Sequence, residues 1–526
     1  MRDPRRGRYN GNMMNSANPQ NQTVSADPAL RRCWWLKRVA AAGTVWLLLL
    51  AVVWVVWDQY SRRELNRRME AVRAAGEPTR LDQIQPPTVP DELNAALLYT
   101  QAANSLAAGV DCPASSSYEF GEDLPYRPEW LAMAKRAAAA NAKPLSLVRQ
   151  ALDMVNADWG IRLRSPANNR MLGSLANLRH LANHVADAAL YEHFQGDDAQ
   201  AMLDIRALLH QGDIIGEPPF QVSFIVGLGI CGLAVEHLEI MSGDLRVDPM
   251  PVPAGRAKPV SREQVKLLIH ELLDTRRIQN QLVRSTLGDR VIIIDASDYC
   301  ISSSLLLPPV LRLSLAHSLD RQTDFLRASL CKDMPTALAI YSPRSDPQEQ
   351  SIFPGKRNGT PPQAADPAKV LRSAMGGWSP SVFLIQSTLR HIGEYRMAAT
   401  MLAFRLYVID HGQYPASLDA LVPTYLAALP VDPFAADGRP FGYFIAADGK
   451  RPILYSVGTD GIDHTRGGQP KLSPHLLIGI QSTSVGAPDD QYRDLSAWVN
   501  PEPRAPMGSV PTAAELGLQT NVNNPQ

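Results

Sequence analysis

Residues 397–461 read MAATMLAFRLYVIDHGQYPASLDALVPTYLAALPVDPFAADGRPFGYFIAADGKRPILYSVGTDG. Upstream and into this stretch, Ile385, Leu389, Ile392, Tyr395, Ala399, Leu402, Leu406 and Ile409 follow at steps of three or four, the spacing of one helical stripe. Gly412 can take the left-handed turn that ends a helix, and Pro415 cannot continue it. A short second helix is expected at Ser417–Leu421, with Ser417 as its cap. Beyond Leu429-Pro430 the period changes. Asp432-Pro433 and Asp437-Gly438 are turn pairs, 442–446 and 452–457 are short β-prone runs, and Asp448-Gly449 reads as the hairpin turn between them.

The order of Asp410, Gly412, Tyr414-Pro415, Leu418, Leu421, Pro423, Tyr425-Leu426, Leu429-Pro430, Asp432-Pro433, Tyr443, Ser456, Gly458, Asp460-Gly461 and Gly467-Gly468 resembles the globular end of the major pseudopilin of bacterial type II secretion. The resemblance covers about an eighth of the chain and implies a helix packed on a short antiparallel sheet, ending in a calcium-holding loop. Phe434 stands where that family usually has Trp, 435–437 add residues before Gly438, and 469–478 contain no Asp or Glu. The calcium ligands that the resemblance leaves are Asp460 and Asp463, few for a cation that takes six to eight oxygens.

The chain opens with a polar stretch, 1–30, expected to be a disordered tail, and then changes abruptly. From Val39 to Trp57 no residue is charged, and a helix of that length comes close to the hydrocarbon thickness of a bilayer. Trp34 and Trp35 on one side, and Trp54, Trp57 and Tyr60 on the other, stand where interfacial aromatics belong. Thr44 is its one hydroxyl residue, and no small-residue cleavage pattern follows Trp57, so the expectation is a retained single-pass anchor with the lipid bilayer as partner. Arg31, Arg32, Lys37 and Arg38 before the span balance Arg62, Arg63, Arg67 and Arg68 after it. Arg2, Arg5, Arg6 and Arg8 tip the sum toward a cytoplasmic amino terminus. The localisation expected is the bacterial cytoplasmic membrane, with the bulk of the chain extracytoplasmic.

Between anchor and carboxyl-terminal unit the pattern is helical, so the fold class expected is α+β, mostly α. A juxtamembrane helix and proline-dense linker fill 58–90, a helical domain of bundle or loose solenoid type 91–341, a linker 342–368 and the pseudopilin-like αβ domain 371–480. A disordered tail at 500–526 follows. Asp91 is expected to cap a helix over 92–108. Helix, tight turn and helix are read over 175–194, Gly196-Asp197 and 199–209, then a break at Pro218-Pro219 and a third helix over 220–241. One long helix is expected at 261–287, with the apolar runs 291–294 and 305–307 as buried core or partner-facing surface.

Equal numbers of basic and acidic residues, 52 each, and no basic stripe speak against nucleic acid as a partner. Cys33, Cys112, Cys231, Cys300 and Cys331 are widely spaced and read as buried thiols. Gly227, Gly229 and Gly232 fit G-x-G-x-x-G after the β-prone 222–226, but without strand–helix alternation the better reading is close helix packing. His180 and His184 lie one helical turn apart, yet lack the Glu of a zinc-protease pattern and an evident third ligand. No catalytic residue or cofactor site is assigned. The functional expectation is a membrane-anchored extracytoplasmic scaffold or interaction protein with a protein partner, linked to a secretion or pilus-like assembly. The alternative is a membrane-bound enzyme with a pocket collecting His180, His184 or Asp295 and Asp298. About three hundred residues separate the apolar helix from the module, and 31–37 carry no prepilin processing site, so a polymerising subunit is not expected.

Overall fold

The computed structural model describes residues 28–110, 112, 128–166, 175–248, 258–304, 306–341, 382–445, 452–458 and 495–498. The chain divides into two compact units, Met1–Tyr60 and Ser61–Gln526. Helix α1, Pro28–Ala74, runs through the boundary.

In the first unit α1 has no polar face over the span. The large apolar side chains from Val45 to Val56, Trp54 excepted, are roughly half to two-thirds exposed. Thr44 returns its hydroxyl to the Ala40 carbonyl at 2.9 Å, which satisfies that donor within the helix. The Arg38 guanidinium lies 3.5 Å from the centroid of the Trp34 ring. This helix is long and apolar enough to cross a membrane.

The second unit is mostly helical. Its helices are α2 (Ala95–Asn104), α3 (Pro128–Ala140), α4 (Ala142–Ala151), α5 (Leu175–Gln195), α6 (Asp198–Gly216), α7 (Gln221–Ser242), α8 (Arg262–Leu273), α9 (Arg276–Ser303), α10 (Pro308–Ser329), α11 (Met334–Tyr341) and α12 (Val382–His411). Helices α5, α6 and α7 pack on one another in sequence, and α12 packs on α7, α8 and α11. Leu178, Leu181, Val185 and Ala189 of α5 face Met202, Ile205 and Leu208 of α6 within one hydrophobic core. The turn between them is made by Gly196 at φ +90° and by Asp197, whose side chain caps α6 at the Gln200 amide. Helix α7 also has the length and apolarity of a membrane span, but most of it is buried in this core.

The C-terminal module follows the expected order. Helix α12 ends at His411, Gly412 takes φ +71°, and a 3-10 turn forms at Leu418–Leu421. Strands β1 (Gly442–Ile445) and β2 (Pro452–Ser456) pair antiparallel, with Ile445 opposite Pro452. A third strand, β3 (Leu495–Trp498), pairs on the far side of β2 and carries the sheet past the expected end at 480. Ser417 occupies the cap position, but its hydroxyl makes no cap bond. The Asp448-Gly449 turn, the linker 342–368, Asp460 and Asp463 lie outside the described residues, as do most of both tails.

Several sequence expectations are corrected. Helix α12 is not a one-sided amphipathic helix: all eight residues from 397 to 404 are buried, and its core is continuous with that of the helical region. Asp91 is not a cap but the first residue of the 3-10 turn Asp91–Leu93. Asn94 caps α2 instead, accepting from the Ala96 amide at 3.1 Å. It is held there by exchanging bonds with the backbone of Asp158, at 3.0 and 2.8 Å, a tertiary contact that local sequence does not announce. The helix expected at 261–287 begins at the Ser261–Gln264 capping box, breaks at Asp274-Thr275 and restarts as α9, which absorbs the run 291–294. Of the thiols, Cys112 and Cys231 are buried, Cys331 is half-buried and Cys300 is exposed.

The segment 222–226 is helical, and the G-x-G-x-x-G glycines lie on α7. A Cβ at Gly227 would stand 2.4 Å from the Gly212 carbonyl oxygen and 2.8 Å from the Gly216 nitrogen. One at Gly232 would stand 2.8 Å from His391 Nε2, and one at Gly229 would meet nothing. Two of the three glycines therefore let α6 and α12 approach α7, and no phosphate is needed to explain them. Gly227→Ala is expected to destabilise the fold by about 1–3 kcal/mol through overpacking, whereas Gly229→Ala should be neutral or stabilise by about 0.5–1 kcal/mol. Thermal melting of the two variants in detergent checks this, and equal melting points would contradict it.

Candidate functional site

The His pair of α5 acquires a third neighbour. One ligand-type atom each from Cys112, His180 and His184 lies within 4.8 Å of the others, with Cys112 and His184 buried and His180 exposed. The rings of His180 and His184 meet edge to face, with centroids 4.9 Å apart. Cys112 is 68 positions before His180 in sequence, and only the packing of the chain brings it here. Asp295 and Asp298 lie on α9 and are not part of this group.

The hydrogen bonds around His184 decide which nitrogen carries its proton. The Ala107 amide can only donate, and it donates to Asn141 Oδ1 at 2.9 Å. Asn141 Nδ2 therefore faces His184 Nδ1 at 3.3 Å, and Nδ1 accepts. A neutral ring then holds its proton on Nε2. A metal at Nε2 would require a proton on Nδ1 pointing at an acceptor, and Asn141 presents a donor. As arranged, His184 is oriented by Asn141 and packed edge to face on His180, and metal capture through His184 would require the Asn141 amide to turn.

A second histidine is held by charge. His193, at the end of α5, lies 2.5 Å from Asp198 Oδ1 through Nδ1 and 3.1 Å from Asp244 Oδ1 through Nε2. Ionised carboxylates only accept, so a ring bonded to both is an imidazolium. Arg246 closes the set, with Nε 2.5 Å from Asp198 Oδ2 and a second nitrogen on the His193 carbonyl. Burial alone would push His193 down; the bonds to Asp198 and Asp244 outweigh it and hold its pKa above the ordinary value. Asp244 is held below the usual carboxylate range by His193 against the opposing effect of burial. This clasp ties the α5–α6 turn to the segment after α7.

Other perturbed groups are dispersed through the helical body. Tyr99 donates to His210 Nδ1 at 2.6 Å, because His210 Nε2 donates to the Met154 carbonyl at 3.0 Å. Burial, aided by the charge of Arg277, lowers His210 to about 4, which keeps it neutral. Burial lifts Asp213 to about 6 although Arg277 stands 3.2 Å away. It also lifts Glu236 to about 7, with Glu394 adding to the effect, and Asp289 to about 7. Their signal in the sequence is weak, since a carboxylate on a helix is ordinarily a solvated one.

In the C-terminal module the motif residues have a structural use. Asp432 is buried; its carboxylate accepts from the Phe434 amide at 2.9 Å, the Ser456 hydroxyl at 2.8 Å and the Val457 amide at 2.9 Å. It thereby fastens β2 to the Asp-Pro turn. Tyr443 donates to the Pro415 carbonyl at 2.7 Å, and Asp410 accepts from Tyr425 at 2.7 Å and from Arg262 of α8 at 2.6 and 2.9 Å. The hollow formed by Val52, Val53, Val56, Trp57 and Tyr60 lies on the apolar helix of the first unit.

Comparison of the chain with protein-family models, curated proteins and solved structures finds no match in any of the three.

The His193 clasp sets a pH dependence. Because its folded pKa is raised, its contribution is complete below the unfolded value of about 6.5 and is lost as the pH climbs through the folded value. His193→Gln is expected to cost about 3 kcal/mol at pH 6, as for breaking a buried pair, and less at pH 9. Denaturant melts of both proteins at the two pH values measure this, and a pH-independent difference would contradict it.

Proposed function

We propose that the chain is a single-pass protein of the bacterial cytoplasmic membrane. In this reading its folded mass is held on the extracytoplasmic side as a scaffold or recognition surface for a protein partner of a secretion or pilus-like assembly. The observation that carries the membrane reading is the ring of exposed Val, Leu and Trp side chains from 45 to 56. Each fully exposed side chain of this size forgoes about 1.5–3 kcal/mol of burial, and lipid supplies that burial.

The scaffold part of the reading is supported by how polar groups are used in the second unit. Asp432, Asn94, Asp198 and Asp410 are spent on joining elements to one another. The sequence resemblance carried by the turn residues from Asp410 to Pro433 is what supports the link to a secretion assembly.

Full-length chain is expected to stay in the pellet after carbonate extraction of membranes and to enter the supernatant only with detergent; release by carbonate without cleavage would end the membrane reading. Alkaline phosphatase joined after residue 480 is expected to be active in a bacterial host. A stable, inactive fusion would reverse the orientation. Crosslinking in intact membranes followed by mass spectrometry should recover a partner protein, and recovery of the chain with neither partner nor self-contact would count against the scaffold role.

A further inference from the structure

The turn between α9 and α10 is a second apolar feature, separate from the anchor. Residues 299–311 read YCISSSLLLPPVL, thirteen positions without a charge between Asp298 and Arg312. Tyr299, Leu306 and Leu307 are 54%, 70% and 54% exposed. A helical hairpin in water normally places polar residues at such a tip.

The packing of the hairpin on residues 61–77 fixes where the tip lies within the second unit. Arg290 of α9 pairs with Glu77 at 2.7 Å. Four residues further along α9, Ile294 packs with Leu65 and Met69, and Leu315, Ala316 and Leu319 of the returning α10 join the same cluster. Arg68 donates to Asp320 at 2.9 Å. Moving toward the end of α9 therefore means moving back along α1 toward Ser61. Ser303 lies about 13 Å beyond Ile294, and Pro308 about 10 Å beyond Leu315, whereas Ser61 lies about 6 Å beyond Leu65. The tip thus stands at the end of the unit from which the chain passes into the apolar run 39–57.

The local chemistry suits a medium poor in water. Ser302 and Ser303 donate to the carbonyls of Tyr299 and Cys300 at 2.9 and 3.2 Å, so both hydroxyls are satisfied without water. Pro308 and Pro309 begin α10 without amide hydrogens. Arg62, Arg63 and Arg67 are exposed at the same end, as cations facing anionic headgroups would be.

We propose that Tyr299, Leu306 and Leu307 form a second membrane contact, in which the α9–α10 tip dips into the interface of the bilayer that holds the anchor. This rests on the membrane reading above. The occupant is lipid because the chain's own exit at Ser61 puts a bilayer at that end. The tip adds a second point of contact to the anchor and so fixes which face of the unit points away from the membrane.

The test uses the full chain with Cys33, Cys300 and Cys331 replaced by Ser, reconstituted in vesicles of phosphatidylcholine and phosphatidylglycerol. A single environment-sensitive fluorophore is placed at Leu306→Cys, at Leu330→Cys or at Val45→Cys, and lipid carrying a shallow nitroxide is the quencher. Leu330 is an equally apolar, 62% exposed residue just past the opposite end of α10. Quenching at 306 is expected to exceed that at 330 by at least about threefold, as for a side chain seated at the headgroup boundary, with quenching at 45 reporting the anchor. Quenching at 45 with 306 no better quenched than 330 overturns the tip contact and leaves the anchor standing. Absence of quenching at 45 overturns both.

Discussion

The second unit depends on the complete burial of α12 from Met397 to Phe404. A helix enclosed on all sides cannot belong to a module that hangs on a linker, because removing either neighbour would expose an apolar face. Helices α7, α8 and α11 cover one part of it, and the Leu418–Leu421 turn another. Its polar side chains are consistent with that enclosure. Thr388 and Thr400 bond carbonyls four residues back, at 2.7 and 2.8 Å. Arg396 and Arg405 carry their charged ends outward to the Val431 and Leu245 carbonyls, at 2.7 Å each, one in the C-terminal module and one in the helical body.

Close backbone approach is the second condition of the architecture. Helices α6 and α7 cross where Gly212 and Gly227 leave no room for a side chain, and α9 reaches Pro219 only because position 288 is glycine, where a Cβ would stand 2.0 Å from the Pro219 carbonyl oxygen. Around these contacts charge is used as fastening. Arg149 with Asp204, Arg206 with Glu271 and Arg262 with Asp410 each join two elements at 2.6 to 2.9 Å. Helix geometry, glycine placement and ion pairing therefore agree on one arrangement of the body. In the first unit the constraint is different: most of the apolar side chains of α1 from Val45 to Val56 stay exposed among the described residues.

Where the sequence was readable, a short-range rule was at work. The apolar run in α1, the helix–turn–helix at 175–209, the end of α12 at Gly412 and the β1–β2 pair all follow from spacing, charge and turn residues that act over a few positions. It was misleading where a distant partner changed a local choice. Asn94 replaced Asp91 as the cap because Asp158 holds its side chain, and the uninterrupted pattern at 261–287 gave no sign of the break that Asp274 and Thr275 make. The candidate clusters were harder still. His180 and His184 were visible as a pair, but Cys112 and the orienting Asn141 come from other elements, and the two carboxylates on His193 are separated by 46 positions from Asp198 to Asp244.

By itself the sequence determined a helical chain with one apolar run long enough to cross a bilayer and a short αβ unit near its far end, because periodicity and turn chemistry are properties of neighbouring residues. Only the tertiary structure decided that this unit shares its core with the helices before it, that the glycine motif is a helix crossing, and that the uncharged α9–α10 tip lies toward the Ser61 end of the second unit. Those outcomes depend on which surfaces meet, and burial is settled by the whole set of contacts rather than by any one segment.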